Sequence, residues 1–314
     1  MEEWVRFLCV TLFFTGCAFG DAQINGNGAN SKETVKGEQP SLLPAGRTFK
    51  LIWNDEFNGN RLDDSKWSYR TNFWGQRAHW FATPEDNAVE VKDGLLHLKL
   101  IEKDGQYKSA QLQTGELIWD MPADPNRKIF WPFPKRATPK FMHRYGYYEC
   151  RCKLQQKAGW WSAFWMQTPC QGASLDPKQV GIEHDIMESF DPGIVIPHCF
   201  HYNGYGADYK GFKTPRVKKN EEGSVSLDKT EFHVFGMLWE EDGYTVFIDG
   251  KQHGQKVGHQ GDEAVSSAEE FILLTTEAKW YRHNKMTGKP VAELKDALGD
   301  EFVVDYVRVY DEVK

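Results

Sequence analysis

The chain has 314 residues, 40% hydrophobic and 26% charged, a balance that suits a water-exposed folded protein. Its net charge of −7 and sequence pI near 5.8 exclude the concentrated basic face of a nucleic-acid binder. They also count against heavily sulfated polymers, unless a local basic cleft overrides the global sign.

Residues 1–20 read as an export signal. Arg6 closes a short n-region, and Phe7–Phe19 is an apolar run too short for a spanning anchor. Two processing readings compete. Ala18-Phe19-Gly20 is a small-x-small site that gives a secreted protein. Phe14-Thr15-Gly16-Cys17 resembles a loose lipobox, which would leave a lipid anchor on Cys17 of a periplasmic or outer-surface lipoprotein. No other segment approaches transmembrane length. Residues 21–45, rich in Asn, Gly, Ser and Lys, are expected to form a flexible linker, with one folded domain over 46–314.

From Thr48 onward, strand signals recur at short intervals: Leu51–Trp53, Val89–Val91, Leu95–Leu100, Tyr145–Leu154, Trp161–Met166, Cys199–Tyr202, Val234–Trp239, Tyr244–Ile248, Phe271–Thr276 and Phe302–Tyr310. Lys92-Asp93-Gly94 and Asp249-Gly250-Lys251 mark hairpin turns. Pro290–Leu298 is the one helical candidate. Many strands and almost no helix predict an all-β sandwich or barrel. Gly115–Pro139 interleaves Trp119, Phe130, Trp131 and Phe133 with five prolines, the composition of a long functional loop. It would either wall a cleft or pack on the rim.

Cys150 and Cys152, two apart on one strand face, are expected to be buried small hydrophobes. A Cys170–Cys199 bridge stays open, because spacing does not establish it.

The densest chemistry lies in Glu183-His184-Asp185-Ile186-Met187-Glu188, just after Gly159-Trp160-Trp161-Ser162-Ala163-Phe164-Trp165. On a regular strand Glu183 and Asp185 share a face and Glu188 turns away. One extra residue, a β-bulge, brings Glu188 back to the same side. Two carboxylates beside an aromatic floor are what retaining glycoside hydrolysis needs, one as nucleophile and one as proton donor. A calcium-binding or merely solvated acidic strand is the competing reading. Trp161 and Trp165 share a face and Trp160 opposes them, so Trp161 is expected in a sugar floor and Trp165 in floor or core. His201 falls on the neighbouring strand, where it could bond substrate or Glu188, or be structural. His233 reads as structural.

Five ordered segments resemble glycoside hydrolase family 16. They are Trp53-Asn54-Asp55-Glu56-Phe57, Tyr145-Gly146-Tyr147-Tyr148-Glu149, Gly159 to Trp165, Glu183 to Glu188, and Val304-Asp305-Tyr306-Val307-Arg308-Val309-Tyr310. The Glu-x-Asp-x-x-Glu spacing is similar to the bulged, laminarinase- and agarase-like branch. The resemblance implies a concanavalin-like jelly-roll β-sandwich of two antiparallel sheets, with a concave substrate cleft. It implies Glu183 as nucleophile, Glu188 as acid/base and Asp185 as the carboxylate between them. The implied function is an endo-acting retaining hydrolase of internal β-linkages in a polysaccharide. A β-1,3-glucan is the first expectation. A β-galactan of the agar or porphyran type, or a non-catalytic carbohydrate-binding role on the same scaffold, is the alternative. Laminarinases of the family usually show an Asn- and Glu-containing stretch after a Trp-Gly pair. Here that run is Trp74-Gly75-Gln76-Arg77-Ala78-His79-Trp80-Phe81, so Arg77, His79 and Trp80 would form a bulkier, more basic wall for donor-side sugars, with Trp74 a further substrate-binding candidate. The reaction needs no cofactor. Family members often carry a structural calcium away from catalysis, and its positions fall on Glu56, the Gly94 carbonyl and Asp305. A monomer is expected.

Overall fold

The structure is a computed structural model. It describes residues 35, 37–71, 80–115, 117–118, 135–136, 139–169, 171, 175–203, 207–213, 217–218, 224–258, 264–278 and 294–313. Two antiparallel sheets face each other. The first runs in the order Lys251–Val257, Gly243–Ile248, His233–Glu240, Gly146–Lys153, Glu301–Glu312, Leu95–Lys99, Val89–Lys92, with Phe49–Asp55 also paired to Glu301–Glu312. The second runs Val217–Lys218, Lys210–Lys213, Ile194–Tyr202, Glu183–Asp191, Trp160–Gln167, Phe271–Ala278, Gln111–Gln113, Ser68–Tyr69. This is the jelly-roll sandwich that the family resemblance implied, and one of the two architectures, sandwich or barrel, that the strand signals allowed.

Period-two alternation explains the layering. Tyr148, Cys150 and Cys152 point inward and are buried with Phe164, Met166, Phe235, Ile272, Leu274, Val307 and Val309 between the sheets. The two cysteines therefore act as core residues. Both marked turns are two-residue hairpins with positive φ at each position: Asp93 and Gly94 (54° and 74°), and Asp249 and Gly250 (49° and 72°). That is the turn whose twist suits a right-handed strand pair.

Two expectations change. Residues 39–43, assigned to the linker by composition, lie against the outer face of the first sheet. Arg308 donates to the Gln39 carbonyl (2.8 Å), Ser41 meets the Tyr310 hydroxyl (2.5 Å), and the Leu42 N–H donates to Glu149 (2.9 Å). Ser41 and Leu43 are buried. The polar groups that Tyr147, Glu149, Arg308 and Tyr310 place on that face hold a segment with little apolar content of its own. Secondly, the described part of the helical candidate, Leu294–Leu298, makes only i to i+3 turns, ended by Gly299 at φ +78°. The aromatic core of the long loop lies outside the described residues; in its described part Leu117–Ile118 pairs with Lys135–Arg136.

Candidate active site

The acidic strand, Glu183–Asp191, sits mid-sheet between the tryptophan strand, Trp160–Gln167, and the histidine strand, Ile194–Tyr202. Against the tryptophan strand the register runs Ala163↔Glu188 and Phe164↔Met187, then shifts to Trp165↔Asp185. Ile186 is the extra residue, and the bulge expected from the acid spacing is there. Ile186 and Met187 both enter the core, fully buried, while Glu183, Asp185 and Glu188 stay on the concave side. Burying each apolar side chain is worth roughly 1.5–3 kcal/mol. Two adjacent inward residues thus outweigh the local cost at His198, which lies across the bulge with φ +37°, a strain of about 1–3 kcal/mol. His198 stacks on His184 in the core (5.5 Å, 16°), and burial, then its histidine neighbour, pushes its pKa well below the ordinary value.

The concave face is a polar network on an aromatic base. Glu183 and Asp185 are buried at 7% and 5% exposure, and Glu188 is half-buried. His201, paired with Glu183 in the register, places Nε2 3.0 Å from Asp185 Oδ2 and 3.9 Å from Glu183 Oε1. Its Nδ1 lies 2.5 Å from the Tyr209 hydroxyl. Burial first, and then the charge of Cys199, Glu183 and Asp185, raises the Tyr209 pKa far above the ordinary phenol value. The phenol therefore stays a donor. Gln167 donates to Glu183 Oε2 (3.3 Å), and Arg70 donates to Gln167 (3.1 Å) while lying 5.0 Å from the Trp165 ring centre.

Trp161 and Trp165 share the concave face and Trp160 the core face, as their parity requires. Trp161 stacks on Phe190 (5.4 Å, 27°), and Trp165 donates to Thr275 (2.8 Å). Both are nearly enclosed, at 2% and 5% exposure. Trp80 is half-buried, and its carbonyl accepts from the Ser109 N–H (3.2 Å) at the edge of the same sheet. Trp74, Arg77 and His79 lie outside the described residues. His233 bonds Asp249 (2.8 Å) and the Asp228 carbonyl (2.9 Å), a structural role.

Sequence reasoning missed Arg70, Gln111, Gln167, Tyr209 and Glu277. Glu277 faces the cleft opposite Trp161 and accepts from Gln111 (3.0 Å). Thr275 and Glu277 were findable, as polar positions of one parity at the end of the strand Phe271–Ala278. Arg70 and Tyr209 enter from connections and carry no such signal.

The calcium expectation meets a different arrangement. Both oxygens of Glu56 accept from Arg308 (2.9 and 2.7 Å), and Asp305 accepts from Arg151. Gly94 sits at a hairpin turn beside Asn58. With each carboxylate already neutralised by an arginine, this set does not fit the open oxygen cage that calcium requires. Cys199 is a thiol, not half of a bridge to Cys170, which itself lies outside the described residues.

A sandwich whose concave strand carries three carboxylates beside two tryptophans is an arrangement that suits glycoside hydrolysis. The family model described as "Beta-porphyranase A-D, GH16 domain" matches residues 52–312. The chain belongs to glycoside hydrolase family 16. It is 29% identical over 311 residues to a glucan endo-1,3-beta-glucosidase A1 from Niallia circulans, covering 86% of this chain and 39% of that one. It is 27% identical to a beta-glucanase from Rhodothermus marinus (83% and 85%) and 26% identical to beta-porphyranase D from Zobellia galactanivorans (68% and 49%). The chain thus spans less than half of two of these relatives. The laminarinase structure from Rhodothermus marinus shares the fold at a TM-score of 0.60 and 23% identity, over 85% of this chain and 98% of that one. Among the described residues, no helix is long and apolar enough to cross a membrane.

Proposed function

We propose that the protein is an endo-acting retaining hydrolase of a β-linked polysaccharide. The observation that carries this reading is the Ile186 bulge, which keeps Glu183, Asp185 and Glu188 on one concave face. Glu183 attacks the anomeric carbon while Glu188 gives its proton to the departing glycosidic oxygen. Carboxyl groups about 5–5.5 Å apart suit that double displacement. Esterification removes the Glu183 charge, so Glu188 turns acidic enough to deprotonate the incoming water. Gln167 orients Glu183, and His201 orients Asp185 beside it. Two carboxylates and water complete the chemistry, so no cofactor is required.

A β-galactan of the porphyran type is the favoured substrate class, supported by the family model over 52–312 and by the Zobellia relative. A β-1,3-glucan is the second reading, supported by the Niallia relative. Export as a secreted protein or lipid-anchored lipoprotein is also proposed, on the strength of Phe7–Phe19 and the two processing sites after it. Reducing-sugar release from a panel of β-glucans and β-galactans, by wild type and Glu183→Ser, tests the reading. Wild type should release chains from one class and the variant from none. Binding without release by wild type would make the protein a carbohydrate-binding module instead.

A further inference from the structure

Cys199 is a buried side chain in the cleft to which the reaction gives no task. Cys199 pairs with Asp185 in the register and precedes His201 by two residues on the same strand face, so thiol and imidazole both point at the neighbouring acid. Cys199 Sγ lies 3.4 Å from His201 Nε2, and that nitrogen lies 3.0 Å from Asp185 Oδ2. One donor atom from each of the three sits within 4.8 Å of the others. All three are buried, at 1%, 2% and 5% exposure. A fourth oxygen, Glu183 Oε1, is 3.9 Å from the same nitrogen.

Tetrahedral zinc, bonded to sulfur, nitrogen and oxygen at 2.0–2.3 Å, needs donors roughly 3.3–3.7 Å apart. The observed spacings bracket that range with the side chains where they stand. Sulfur and imidazole beside a carboxylate select zinc or a similar soft divalent ion over calcium or magnesium. Tyr209 can support the bound state, because its oxygen can accept from Nδ1–H once Nε2 carries the metal.

The geometry points to an inhibitory site for a zinc-type cation formed by Asp185, Cys199 and His201, with Glu183 as the nearest fourth ligand. Binding replaces the thiol proton of Cys199, which leaves to solvent, while the His201 ring changes tautomer, its single proton passing from Nε2 to Nδ1, so one proton is released in net. An occupied site takes Asp185 out of the acid row and draws on the nucleophile, so hydrolysis stops. The inhibition rests on the glycosidase reading, whereas the binding itself rests on the donor geometry alone.

The full chain, without a polyhistidine tag and stripped by chelator, is titrated with cobalt(II) and then zinc. The site predicts one cobalt per chain with a thiolate-to-cobalt charge-transfer absorption, displaced by zinc. Cys199→Ser should lose that absorption, and both Cys199→Ser and His201→Gln should weaken zinc binding by about tenfold or more. The wild-type hydrolysis rate should fall in zinc and recover with chelator, while the ratio of rates with and without zinc stays near unity for Cys199→Ser. Cobalt bound without the thiolate band, or zinc held as tightly by Cys199→Ser as by wild type, would overturn the site. If wild type hydrolyses nothing in the panel, the glycosidase reading fails, and the cobalt spectrum still decides the metal site.

Discussion

The Tyr209 hydroxyl lies 2.5 Å from His201 Nδ1, while the opposite ring nitrogen lies 3.0 Å from Asp185. A phenol held protonated donates to Nδ1 and leaves the ring proton on Nε2, aimed at the acid. A single hydrogen bond of this kind contributes about 0.5–1.5 kcal/mol. Tyr209→Phe is expected to lower kcat by up to about tenfold on that scale, with the fold retained. Steady-state kinetics on the hydrolysed polysaccharide check this, and an unchanged kcat removes Tyr209 from the account.

Gly211 should behave as part of the same unit. A methyl group there would stand 2.4 Å from the Tyr209 hydroxyl and 3.0 Å from His201 Nδ1. Gly211→Ala is expected to reproduce the Tyr209→Phe loss, and the double variant should be no slower than either single one. Losses that simply add would assign Gly211 a separate role.

Strand parity gives a stricter test of the bulge. Deleting Ile186 alone restores regular alternation and keeps Glu188 on the concave face, so measurable hydrolysis should survive. Deleting Ile186 and Met187 together turns Glu188 into the core, and hydrolysis should vanish. Circular dichroism and thermal melts establish that each variant folds. Activity in the double deletion but not the single one would contradict the parity argument.

Glu149 links the outer sheet to the packed segment at residues 39–43. Burial raises its pKa above the ordinary carboxylate value, against the bonds from Tyr306 and the Leu42 N–H. A carboxyl with a higher pKa folded than unfolded favours the native state most below the unfolded value, and that stability is lost as pH rises through the folded one. Urea midpoints of wild type and Glu149→Gln should therefore shift in the variant's favour from pH 4 to pH 8. A difference independent of pH would mean that burial does not dominate at this carboxyl.

What could be read in the sequence followed from local rules. Two hairpins announced themselves through Asp-Gly pairs, and the acid spacing required the bulge that lies at Ile186. The faces of Trp160, Trp161 and Trp165 followed from counting by twos. The missed residues are long-range. Gln111 meets Glu277 across 166 positions and Arg70 meets Gln167 across 97, pairings fixed by sheet order rather than by neighbours in the chain. The packed segment at 39–43 was hidden for a similar reason. Its composition is that of a tether, and the Arg308, Glu149 and Tyr310 groups that hold it lie more than 100 positions away.

Azide rescue of two variants reads the two glutamate roles most directly, using an activated β-glycoside of the sugar that the panel identifies. Glu188→Ala should return the β-glycosyl azide, because the covalent intermediate on Glu183 still forms and azide enters from the vacated face. Glu183→Gly should return the α-glycosyl azide by direct displacement. The opposite pair of anomers, or no azide product from either variant while wild type hydrolyses the same glycoside, would contradict the assignment of nucleophile and proton donor.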